Sequence, residues 1–131
     1  MEQPTAFGLL LSDDLLDGSR VTGAARAVGL EVRQLRTPDA LLTAASERRP
    51  ACVLIDLHNP GLVVEVLARQ ITSLAPRPRL IGYGSHVDAA RLRAARQAGC
   101  DMVMPRSQFF NELEPHIGEW LAVTPTDKPG V

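Results

Sequence analysis

Short apolar runs and amphipathic stretches take turns along this chain. Ala6 to Leu11 is apolar throughout and stops at Ser12-Asp13-Asp14, the pattern of a buried strand ending in an acidic loop. Beyond it Val21, Ala24, Ala25 and Val28 recur at helical spacing, which predicts a helix to about Val28 closed by Gly29. Glu31 to Leu35 alternates polar and apolar positions, as a half-exposed strand does. Thr37-Pro38-Asp39 then supplies a capping hydroxyl, a proline at the first helical position and an acid in the first turn of a helix through Leu41, Leu42 and Ala45.

The third unit opens on Ala51 to Asp56, an apolar run that fits a strand buried on both faces, and passes into Leu57-His58-Asn59-Pro60-Gly61. A helix predicted over about Leu62 to Leu74 puts Val63, Val66, Leu67 and Ile71 on one face and ends before Pro76. Arg79 to Tyr83 reads as the fourth strand, Val87 onward as an Ala- and Arg-rich helix closed by Gly99, and Cys100 to Met104 as a short fifth strand. Phe110, Leu113, Ile117 and Trp120 or Leu121 repeat at helical spacing in a last helix, where Pro115 predicts a kink or a late start. Residues 1–122 are expected to form one domain and 123–131 a flexible tail.

Five strands alternating with five helices require crossovers between parallel neighbours, and right-handed crossovers leave few topologies. The expected fold is an α/β flavodoxin-like three-layer sandwich, its parallel sheet ordered 2-1-3-4-5 with helices on both faces. Strands one and three are then adjacent, and their C-terminal ends carry Asp13, Asp14 and Asp56 where open α/β sheets bind ligands. Three carboxylates in one cleft repel each other unless they share a cation, and hard oxygen donors suit Mg²⁺.

Composition narrows the choice of partners. A net charge of -1 removes any bulk attraction to polyanions, so nucleic acid is not expected. Apolar runs fall short of the ~18 residues of a membrane span, and the N-terminus has no leader pattern, which makes a cytoplasmic protein the expectation. Cys52 and Cys100 lack metal-ligand spacing and read as buried, reduced thiols. Neither a GxGxxG loop nor a GxSxG elbow is present, so a conventional enzyme is not expected.

In Ser12-Asp13-Asp14 after strand one, Asp56 with Pro60-Gly61 beyond it, and Ala98-Gly99-Cys100-Asp101 before strand five, the chain resembles the receiver domains of two-component response regulators over residues 6 to 121. The resemblance implies that Asp56 is the phosphoacceptor and that Asp13 or Asp14, with Asp56 and the backbone carbonyl of His58, holds Mg²⁺. It further implies a signalling module that acts on a protein partner, a histidine kinase or a downstream protein, and a possible homodimer through the fourth helix, fifth strand and last helix. The departures lie at the switch positions. Gly84, with Ser85 one place late, stands at the family's hydroxyl position, Arg106 followed by Ser107 at its lysine, and Val103 at its mobile aromatic. Gly84, Ser85 and Arg106 are the candidates for phosphoryl contact, and a phosphorylation-independent pseudo-receiver adaptor is the alternative.

Two further features bear on partners. Asp56-x-His58-x-x-Gly61 matches the short DxHxxG pattern of cobalamin-binding domains, yet it follows strand three and no Gly-Gly pair is present, so His58 reads as a loop residue. Arg91, Arg93 and Arg96 on the fourth helix, with Arg106, form a candidate docking patch.

Overall fold

The computed structural model describes residues 6–122; the tail expected over 123–131 lies outside them. Ten elements alternate: β1 (Phe7–Leu11), α1 (Leu15–Ala27), β2 (Glu31–Leu35), α2 (Pro38–Glu47), β3 (Cys52–Asp56), α3 (Val64–Thr72), β4 (Arg79–Gly84), α4 (Ala89–Ala98), β5 (Met102–Pro105) and α5 (Arg106–Trp120). All strand pairs are parallel and the sheet order is β2-β1-β3-β4-β5, as the alternation of elements implied.

Alternation along each strand divides the core into two layers. Leu9, Leu11, Val53, Ile55 and Leu80 pack under α2, α3 and α4. Leu10, Leu54, Ile81 and Tyr83 face α1 and α5, where they meet Val21, Phe109, Leu113 and Ile117. Every residue of β1 is buried, whereas Glu31 and Arg33 of β2 are exposed. β2 is an edge strand, which explains the clean polar-apolar alternation of its sequence.

Local signals fix the helix ends. Thr37 accepts the Ala40 N–H and places Pro38 in the first turn of α2; Gly29 and Gly99 take positive φ beyond α1 and α4. Four expectations need correction. Val28 caps α1 and is half exposed, and α3 begins at Val64, so Val63 and Val66 face solvent while Val64, Leu67, Ala68 and Ile71 are buried. β5 begins at Met102, because Asp101 is used to bond the Leu80 N–H and Arg77. α5 starts at Arg106 and runs through Pro115 to Trp120, so the helix does not start late.

Candidate functional site

Asp56 is the last residue of β3 and pairs in register with Tyr83 of β4, which carries its carboxylate out of the core at the sheet's C-terminal edge. The side chain is half-buried. Its Oδ1 accepts the His58 N–H at 2.9 Å and its Oδ2 accepts the Ser12 hydroxyl at 3.3 Å. Burial raises the Asp56 carboxyl above its ordinary value and the Asp17 charge adds to this, while the His58 N–H and the Ser12 hydroxyl pull it back.

The acids after β1 are not used alike. Ser12 is fully buried against Asp56. Asp13 turns outward onto Arg36, with Nε and Nη2 both 3.0 Å from its Oδ1. Asp14 caps α1: its Oδ1 accepts the N–H groups of Leu16 and Asp17 at 2.8 and 3.0 Å, and these bonds hold its carboxyl below the usual range. Gln34 pins the loop by donating to the carbonyls of Ser12 and Asp14, passing through space that a side chain at Gly18 would fill.

The expected convergence of Asp13, Asp14 and Asp56 is therefore not formed. Asp13 has a cationic partner of its own on the rim, and among the described residues no three His, Cys, Asp or Glu side chains group as metal ligands. Asp14 and Asp56 do line one cleft. Two carboxylates suffice for Mg²⁺, which keeps several waters, and both capping bonds of Asp14 use Oδ1, leaving Oδ2 to a ligand.

A different acid completes the site. Asp17 lies on the core face of α1, is fully buried, and receives Arg106 through both terminal nitrogens: Nη1 to Oδ2 at 2.6 Å, and Nη2 to Oδ1. The Tyr83 hydroxyl donates to the same Oδ2 at 2.9 Å. A two-pronged guanidinium bond and a phenol thus satisfy a carboxylate that burial alone would make costly. The Asp17 bonds hold the Arg106 guanidinium more firmly protonated than usual, and burial pushes the Tyr83 phenol up. Sequence reasoning missed Asp17, although it sits four residues before Val21 on the same helical stripe.

On the other side of Asp56 the His58 ring spans two loops. Its Nε2 accepts the Ser85 N–H at 3.0 Å, so in this network the ring proton sits on Nδ1. Gly84, Ser85, His86, Arg106 and Ser107 line the same cleft of about 470 Å³ as Asp14, Asp56 and His58. Arg91, Arg93 and Arg96 are all exposed, and Arg91 also bonds Asp88 at 2.9 Å and the Leu57 carbonyl at 3.1 Å, tying α4 to the loop after Asp56. Burial pushes the Cys52 thiol up to about 12 and Cys100 up to about 11, which keeps both protonated.

No family model and no curated protein matches the sequence. Solved structures do match. The receiver domain of NtrX from Brucella abortus superimposes with a TM-score of 0.76 at 20% identity, over 89% of this chain and 99% of that one. The receiver domain of a sensor histidine kinase from Pseudomonas aeruginosa, with magnesium coordinated in its active-site cleft, gives 0.74 at 18% identity over 89% and 98%. The phosphorylated cyanobacterial phytochrome response regulator RcpA gives 0.74 at 16% identity over 92% and 96%. The chain has the receiver-type, flavodoxin-like fold.

Proposed function

We propose that this chain is a receiver-type signalling domain in which Asp56 is the phosphoacceptor and whose output passes through contacts with another protein. The observation that carries the reading is the setting of Asp56: a carboxylate at the end of the central strand, in a cleft shared with Asp14, Ser85, Arg106 and Ser107. A carboxylate oxygen of Asp56 attacks phosphorus, the bond to the donor's leaving group breaks, and the electron pair leaves with that group, forming an acyl phosphate. Asp14, Asp56 and the His58 carbonyl would hold Mg²⁺, which when bound would offset the charge of the transferring group. The Ser85 and Ser107 hydroxyls, which line the same cleft, are donors for its oxygens.

A phosphodonor such as a histidine kinase is the upstream partner of this reading, and the face formed by α4, β5 and α5 is the surface for a downstream protein or a second copy. A second reading, a phosphorylation-independent adaptor, is favoured by one observation: Arg106 is bonded to Asp17 and not to Asp56. Incubation with Mg²⁺ and acetyl phosphate separates the two. The expected result is a mass gain of one phosphoryl group that disappears in Asp56→Asn. Absence of any gain, together with no Mg²⁺-dependent beryllofluoride binding in any form of the protein, would leave the adaptor reading standing.

A further inference from the structure

The geometry points to Asp17 as a positioning residue that holds Arg106 away from Asp56 until Asp56 carries an added anionic group. This inference rests on the phosphoacceptor reading. Arg106 opens α5, and its side chain is 47% exposed although its partner Asp17 is fully buried. The guanidinium therefore sits at the boundary between core and cleft. It lies 4.9 Å from the Phe110 ring centre and lines the same cleft as Asp56.

Two carboxylates compete for this one cation. Asp17, itself fully buried, holds it with two hydrogen bonds, whereas Asp56 is half solvated and already accepts from His58 and Ser12. In the resting protein Asp17 wins. A phosphoryl group on Asp56 adds charge and three acceptor oxygens on the solvent side, and the exposed half of Arg106 gives it the freedom to change partner. When it leaves, the Tyr83 hydroxyl stays as the polar partner of Asp17.

That change has a built-in path outward. Tyr83 stacks on Phe109 with ring centres 4.3 Å apart, and Phe109 stacks on Trp120 at 5.5 Å. Val103, at the position of the family's mobile aromatic, has no ring to swing. The Tyr83–Phe109–Trp120 stack carries the event instead, and Trp120, the chain's single tryptophan, reports on it.

Beryllofluoride affinity, measured with Mg²⁺ by fluorine NMR, tests the inference in wild type, Asp17→Asn, Arg106→Ala and the double variant. Asparagine keeps an acceptor for Tyr83 but gives up its hold on Arg106, so Asp17→Asn is expected to bind roughly tenfold more tightly, with Trp120 fluorescence shifted toward the wild-type beryllofluoride form. The gain should vanish when Arg106 is also alanine. A gain that persists without Arg106 would overturn the inference, because it would reflect only the removal of Asp17's charge. Equal affinity in wild type and Asp17→Asn would overturn it too, yet leave Asp56 as an acceptor. No binding by any form removes both.

Should Asp17→Asn fail to fold, Tyr83→Phe reads the same competition in the opposite direction. Asp17 then depends on Arg106 alone, and beryllofluoride should bind several-fold more weakly. Unchanged affinity in Tyr83→Phe overturns the inference.

Discussion

The imidazole of His58 crowds the position that a side chain on residue 84 would take. A Cβ at Gly84 would lie 3.2 Å from His58 Nε2 and 3.4 Å from Leu57 Cβ. The missing hydroxyl at residue 84 and the histidine after Asp56 are thus one packing solution: the ring fills the gap and bonds the Ser85 N–H in its place. Gly84→Thr is expected to displace the ring, break that bond and destabilise the fold by about 1–2 kcal/mol in urea unfolding. With His58→Ala in the same chain the room returns, so the double variant should lose less than the sum of the singles. Strict additivity would show that the ring and residue 84 do not compete.

Asp56 predicts a pH dependence of stability with a definite sign. Burial, aided by Asp17, raises its folded-state value above 3.8, so between those two values the folded protein binds more protons than the unfolded chain. This contribution to stability therefore falls as pH rises through that window, and at neutral pH the ionised carboxylate is a net cost. Asp56→Asn should melt at a higher temperature than wild type at pH 7, and the gap should close as pH drops towards 3.8. Thermal melts across that range check it; a gap independent of pH would mean that the effect is not ionisation.

The frame of this site was readable before the fold, and its second half was not. β1 and β3 announce themselves as apolar runs ending in acids, and Thr37-Pro38, Gly29 and Gly99 mark helix ends by local chemistry that needs no tertiary context. Tyr83 and Arg106 lie 66 and 89 residues beyond Asp17, and only the sheet order brings α1, β4 and the start of α5 together. Asp13 misled for a related reason. Its outward turn is decided by Arg36, which lies beyond β2, the strand next to β1. Strand ends locate carboxylates, but the cations supplied by neighbouring loops decide which of them face a cleft.

Arg91, exposed with Arg93 and Arg96 on α4, is also a tether. Its Nη1 reaches the Leu57 carbonyl, one residue past Asp56, while Nε holds Asp88, the cap of α4. Arg91→Ala should destabilise by about 1 kcal/mol and speed hydrogen exchange in the β3–α3 loop. Charge reversal at Arg93 and Arg96, which are exposed, should leave stability within about 0.5 kcal/mol of wild type. If Arg91→Ala behaved like those two in exchange and unfolding, the tether would have no energetic weight.

The Asp17–Arg106 pair predicts an asymmetry between its two halves. Arg106→Ala strands a fully buried carboxylate with one phenol donor, whereas Asp17→Asn frees a cation that is already half in water and can be solvated where it stands. Loss of one partner of a buried pair costs about 3–5 kcal/mol, and the exposure of Arg106 brings the expectation for Arg106→Ala down to about 2 kcal/mol. Asp17→Asn should cost less, about 1 kcal/mol, because the amide oxygen still accepts from Tyr83. Arg106→Lys should fall between wild type and alanine, since a lysine keeps the charge but cannot hold both carboxylate oxygens in a planar fork. Urea unfolding of the three variants gives the order directly. An Asp17→Asn loss as large as that of Arg106→Ala would mean that the pair itself, and not the burial of Asp17, sets the energetics of this corner of the fold.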